Sequence, residues 1–230
     1  MEKKWFCVSL YVKVIIAVAV TVVVESGGTA IVLVTINISG GKVMRVLSLI
    51  FAVVLYAAPA WAMEVAGVNI EERVVNDAGT TLQLNGAGIR SKFFFKIYIA
   101  ELYLENPARE AATAIADNGY KRVVMHFLYD DVGQEKLVDG WNDGFSANLA
   151  EEAQKKLQPR IDTFNAMFTE GMTKGDRIIF DYVPGQGTRV SIKGEEKGII
   201  TGKDFNDALL SIWLGDEPVS SDLRRDLLQQ

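Results

Sequence analysis

Leu84-Asn85-Gly86-Ala87-Gly88-Ile89-Arg90-Ser91-Lys92-Phe93-Phe94-Phe95-Lys96-Ile97-Tyr98-Ile99-Ala100-Glu101-Leu102-Tyr103-Leu104 carries the strongest strand signal of the chain. From Ile89 to Leu104 the aromatic and β-branched residues predict one long strand, and their near-continuous apolarity predicts burial on both faces. Asn85-Gly86-Ala87-Gly88 reads as a tight turn closing a shorter strand, Thr80 to Leu84. Before it, Met63 to Val75 reads as a strand that ends in the turn residues Asn76-Asp77-Ala78-Gly79.

Downstream the pattern changes. Asn106-Pro107 predicts a helix with proline in its first turn, running to Ala116, and Arg122 to Tyr129 predicts another strand. Leu137, Trp141, Phe145, Leu149 and Leu157 then recur at helical spacing until Pro159, and Ile161, Phe164, Met167 and Phe168 mark a further short helix. Asp176 to Val183 and Thr188 to Lys193 predict a hairpin across Pro184-Gly185-Gln186-Gly187. Phe205, Leu209, Ile212 and Trp213 line a helix closed by Gly215, and Ser221 to Gln229 forms a last, charged one. This order predicts an α+β domain, an antiparallel β-sheet covered by a layer of α-helices.

The N-terminal region, residues 1–62, stands apart. It holds Lys3, Lys4, Lys13, Lys42 and Arg45 against Glu2 and Glu25, so the remainder is more acidic than the chain's net charge of −5. Met44-Arg45, an apolar run to Tyr56 and Ala60-Trp61-Ala62 match a bacterial secretory signal over 44–62, with cleavage before Met63. That predicts a periplasmic or secreted domain, residues 63–230. Upstream, Val14 to Val24 and Ala30 to Ile38 read either as a membrane anchor or hairpin, or as residues ahead of a true start at Met44. The second reading is preferred, because the Met44 signal is complete without them. Membrane contact is expected only through this segment, if it stays uncleaved.

Composition removes several function classes. The chain has 230 residues, one cysteine, one histidine, and 24 basic against 29 acidic side chains. Cys7 alone forms no intrachain disulfide or CxxC site, and His126 alone makes a histidine-rich metal site impossible. The acidic balance disfavours nucleic acid as a partner. Gly86-Ala87-Gly88 lacks the third glycine and the immediate helix of a dinucleotide fingerprint. His126 reads as structural, since no nucleophile motif accompanies it. Asp130-Asp131 reads as a helix cap. No metal and no cofactor are implied.

Arg90 is the most informative polar residue. An arginine in so apolar a strand needs an anion, an acidic neighbour or a set of carbonyls, because an unpaired buried charge is costly. Tyr98 lies eight residues on, on the same face by period-2 counting. Lys92 and Lys96 share that parity, which alternatively marks a solvated face.

The segments Leu84–Arg90 and Phe94–Glu105, with the run from Ala208 through Gly215-Asp216-Glu217-Pro218 to Leu223, resemble the chalcone isomerase family. The similarity covers residues 63–230 and implies that family's open-faced sandwich. In the plant enzymes the resemblance places an arginine at Arg90 and a threonine at Tyr98. It places a tyrosine near Leu137, a lysine near Gly140, an asparagine near Gly144 and a late threonine at Ile212. Only the arginine is kept, so cyclase activity is not expected. Arg90 with Tyr98 instead matches the pattern implied for non-catalytic relatives that hold a fatty-acid carboxylate. The resemblance therefore implies a fatty acid or similar small amphipathic ligand bound through Arg90 and Tyr98. The alternatives are an isomerase (intramolecular lyase) on a phenolic enone-like substrate with Arg90 as electrophilic stabiliser, and a structural module with a filled cleft.

Overall fold

The computed structural model describes residues 16–24, 30–38 and 63–229. The chain divides into two units, Met1–Pro59 and Ala60–Gln230. In the first, β1 (Ile16–Val24) pairs antiparallel with β2 (Ala30–Ile38), from Ile16 opposite Ile38 to Val24 opposite Ala30. The expected signal over 44–62 and its cleavage point lie outside the described residues. Among the described residues no helix is long and apolar enough to cross a membrane.

The second unit begins with three short strands, β3 (Met63–Val65), β4 (Val68–Ile70) and β5 (Arg73–Val75), where one had been expected. Ala66 and Gly67 cause the first break, between β3 and β4. Both take positive φ, 51° and 82°, and fold β3 against β4 in a two-residue hairpin. The long strands follow as β6 (Thr81–Lys92) and β7 (Phe95–Leu104). Here the structure overturns the expected turn at Asn85–Gly88. β6 runs through it, with a register irregularity between Leu84 and Gly86, and the chain reverses at Phe93-Phe94.

The glycines of that segment serve packing. A Cβ on Gly86 would lie 2.2 Å from the Asp226 carbonyl oxygen, and one on Gly88 would lie 2.7 Å from the Asp226 Cβ. They let the last helix, α5 (Ser221–Leu227), lie directly on β6. Asn85, fully buried, fixes the contact: its amide donates to the Ala108 and Leu227 carbonyls at 2.9 and 2.8 Å, and its Oδ1 accepts from the Ala108 N–H. With Ala108 held there, the first helix, α1 (Ala111–Ala116), starts beyond Pro107 instead of on it.

Beyond α1 come β8 (Lys121–Phe127), α2 (Gln134–Asn148), α3 (Glu151–Asn165), β9 (Arg177–Val183), β10 (Gly187–Ile192), β11 (Glu195–Thr201) and α4 (Lys203–Leu214). The helical stripe breaks at Leu149-Ala150, where Asn148 turns its amide to the Glu217 carbonyl at 2.9 Å. Pro159, expected to end a helix, sits on the exposed face of α3, which Leu157, Ile161 and Phe164 hold to the core. β11 was not evident in the sequence. Glu195, Glu196 and Lys197 make it polar, as suits an edge strand, and Lys193-Gly194 at positive φ turns it back onto β10.

The seven strands lie in the order β11-β10-β9-β8-β7-β6-β5, each antiparallel to its neighbours. The α+β reading holds: one sheet face is covered by helices. Tyr98, Ala100, Leu102 and Leu104 of β7 enter the main core beneath them, while Ile99 and Tyr103 enter a smaller cluster with Ile70, Leu82 and Val124. Phe164, fully buried, stands 5.0–6.1 Å from the rings of Trp141, Phe145, Phe168, Phe180 and Phe205, joining α2, α3 and α4 to β9. Each such pair contributes about 0.5–1.5 kcal/mol beyond its buried area.

Burial on both faces thus holds for Tyr98–Leu104 and fails for Phe93, Phe94 and Phe95, which are exposed. Phe93 has φ 55°, at the first position of a two-residue loop where glycine is preferred. Such a conformation costs a bulky residue roughly 1–3 kcal/mol.

Candidate ligand-binding site

A cavity of about 350 Å³ opens between the β6–β7 hairpin, β8 and α2. It runs from Lys92, Phe93 and Phe95 at the hairpin tip past Ile97, Met125 and Phe127 to Tyr98, Trp141 and Ile212. Its charged lining residues are Arg90, Lys92 and Lys136 against Asp131. The walls are aromatic and aliphatic because β7 and β8 turn alternate residues to the helix side, and α2 turns Leu137 and Trp141 back towards them.

Arg90 and Tyr98 both line this cavity. The period-2 argument assumed a single strand, whereas they lie on β6 and β7 as direct cross-strand partners. Directly opposed residues of an antiparallel pair share a face, so the juxtaposition survives although its geometry differs. Arg90 is half-buried and donates to the Ser91 carbonyl. Among the described residues no carboxylate forms an ion pair with it. A guanidinium has five N–H donors, so Ser91 leaves most of them unused.

Tyr98 is buried, and its Oη accepts a hydrogen bond from Trp213 Nε1 at 3.1 Å. Because Trp213 is the donor, the phenol proton remains available to an acceptor. Burial pushes the phenol pKa up to about 12, against smaller downward pulls from Trp213 and the Arg90 charge. Tyr98 is therefore a neutral donor at ordinary pH beside a permanent cation, a pairing suited to a carboxylate.

The other candidates fall elsewhere or change role. Lys96 is exposed and opposite Ser91. His126 is half-buried and accepts from Arg177 Nε at 3.2 Å; burial and the Arg177 charge lower its pKa, consistent with a structural residue. Asp130-Asp131 do not cap α2. Gly133 holds the N-cap position without a side-chain bond, because Val132 first pairs with Met172, and Asp131 lines the cavity. Leu137, Gly140 and Ile212 line the cavity. Gly144 has no room for a side chain, since a Cβ there would lie 2.9 Å from Ile212.

Sequence reasoning placed Trp141 and Trp213 in the core only. Trp141 also walls the cavity, with its Nε1 buried and unpartnered among the described residues. The role of Trp213 depends on a bond spanning 115 residues, for which no local signal exists. Lys136, one turn before Gly140, was also missed; its spacing was the available sign.

Fold and cleft together define an open-faced α+β sandwich with an apolar cavity and a cationic, hydrogen-bonding corner. The chain belongs to the chalcone isomerase-like family, whose model matches residues 62–229. Among solved structures it is similar to a fatty-acid binding protein of Arabidopsis thaliana. The identity is 15%, the TM-score 0.51, and the match covers 68% of this chain and 96% of that one. That likeness is one of fold. No curated protein sequence matches.

Proposed function

We propose that this protein binds a fatty acid or similar single-chain amphipathic carboxylate in the cavity, without transforming it. One observation carries the reading: Arg90 and Tyr98 face each other across β6 and β7 at an apolar cavity, with Tyr98 turned into a donor by Trp213. The guanidinium and the phenol proton satisfy the carboxylate, and the Phe127, Ile97 and Met125 wall takes the tail. Each buried CH₂ contributes about 0.8 kcal/mol. A volume of about 350 Å³ sits low in the range of small-molecule pockets and suits one acyl chain. The similarity to a fatty-acid binding protein supports this choice of ligand.

The test is mass spectrometry of organic extracts from the protein purified from its native compartment, beside Arg90→Ala. A stoichiometric fatty acid in the wild type and none in the mutant is expected; equal occupancy in both would remove Arg90 from the site. A periplasmic or secreted location belongs to the same proposal and rests on residues 44–62. Cell fractionation with intact mass tests it, and a chain retaining Met1 in the cytoplasm would refute it.

One observation favours a second reading, isomerase chemistry. Lys136 lines the cavity from α2, near where the resemblance places the plant lysine, and Arg90 would stabilise a developing enolate or phenolate. Turnover of a phenolic enone, lost in Tyr98→Phe, would establish that reading in place of the first.

A further inference from the structure

Phe93, Phe94 and Phe95 are 86%, 99% and 55% exposed, three successive large apolar side chains at the tip of a hairpin. The other exposed large hydrophobics among the described residues, Met63, Val75 and Ile199, do not adjoin one another in sequence. An exposed apolar cluster is unfavourable in water and marks a surface that meets something else. Phe93 adds a second oddity: the chain places a phenylalanine, at φ 55°, where glycine would relieve the backbone. Both its conformation and its exposure are unfavourable to the isolated fold.

The charge around the tip indicates what it meets. Lys92 and Lys96 flank the three rings, and neither pairs with a carboxylate among the described residues. Arg90 stands just behind them on β6. This basic end belongs to a chain of net charge −5, so it is a local feature and not an overall bias. Aromatic rings ringed by lysines match a bilayer interface, where the rings enter the acyl boundary and the ammonium groups meet anionic headgroups.

We propose that the β6–β7 tip docks on an anionic lipid bilayer, inserting Phe93, Phe94 and Phe95 with Lys92 and Lys96 at the headgroups. Docking itself is independent of the ligand. Its use rests on the carboxylate-binding reading: Lys92, Phe93 and Phe95 also line the cavity, so a docked tip sets the cavity mouth against the bilayer. A single-chain acid then passes between membrane and cavity without crossing water. Membrane contact would then involve the folded domain as well as any retained N-terminal segment.

The test uses the full chain with Cys7→Ser and Phe94→Cys, labelled at position 94 with an environment-sensitive fluorophore. Mixed phosphatidylethanolamine and phosphatidylglycerol vesicles should shift its emission to the blue and brighten it several-fold; pure phosphatidylcholine should do so weakly. The same label on Glu152→Cys, on the exposed side of α3, should not respond. Adding Lys92→Glu should raise the lipid concentration for half response about fivefold. Adding Phe93→Asn, a residue that tolerates positive φ, should raise it about tenfold. Silence at position 94 overturns the proposal, as does an equal response at 152. A response without vesicles, accompanied by dimer mass in light scattering, would assign the tip to a second copy instead. The vesicles hold no free fatty acid, so this response tests docking alone, while fatty-acid affinity without vesicles tests the ligand reading alone.

Discussion

Tyr98→Phe removes one oxygen and should affect fold and ligand together. The oxygen accepts the Trp213 Nε1–H at 3.1 Å, and Trp213 is 1% exposed. Without it the indole N–H is buried with no acceptor, at a cost of about 1–3 kcal/mol. For a domain of this size that lowers Tm by about 2–12 °C. On the proposed carboxylate-binding reading, the same substitution deletes the phenol proton that would be offered to the ligand. A hydrogen bond to a charged group contributes about 1.5–3 kcal/mol, so fatty-acid affinity should fall roughly 10- to 100-fold. Arg90→Ala separates the two effects. Arg90 is half-buried and its described bond is to the Ser91 carbonyl, so its loss should leave Tm nearly unchanged while fatty-acid binding is lost. The assays are thermal unfolding without ligand and titration with a fluorescent fatty acid. A Tyr98→Phe protein with wild-type Tm and wild-type affinity would refute the assignment of both the donor direction and the carboxylate corner.

Three further outcomes are expected. Gly86→Ala forces a Cβ to within 2.2 Å of the Asp226 carbonyl oxygen, so α5 must shift, and denaturant unfolding should show a loss of about 1–3 kcal/mol. Phe93→Gly relieves the positive φ and should gain about 1 kcal/mol of stability while weakening vesicle docking; a loss of stability would show the turn is not strained. Burial and the Arg177 charge hold the folded His126 pKa below its unfolded value. The unfolded chain therefore binds the proton first as pH falls, and stability drops through the range around pH 6.5. Urea unfolding from pH 7.5 to 5 should show a shallower slope in His126→Gln, and equal slopes would exclude His126 as the source.

Much of the fold was legible because its signals are local. Apolar density marked strands over Ile89–Leu104, Arg122–Tyr129 and Asp176–Val183, where the structure has β7 (Phe95–Leu104), β8 (Lys121–Phe127) and β9 (Arg177–Val183). Helical spacing marked Leu137, Trp141 and Phe145 as one buried face. Pro184–Gly187 announced its hairpin. From these residues alone follow the α+β class and the antiparallel sheet. They also single out Arg90 as a cation that needs explaining, since its neighbours are apolar whatever the topology.

Contacts between distant residues decided the rest. Gly86 and Gly88 look like turn residues, yet Gly86 is required by the backbone of Asp226 and Leu227 and Gly88 by the side chains of Asp226 and Leu223, all far along the chain in α5. The true reversal falls on Phe93-Phe94, whose chemistry opposes a turn, so no propensity argument finds it. β11 is polar because an edge strand has one side in water, and only its pairing with β10 reveals it. Arg90 and Tyr98 come together across two strands, and the Tyr98 oxygen accepts from Trp213, far along the chain in α4. Local sequence encodes backbone preference and burial. Which residues meet is settled only when the sheet and its helices close on one another.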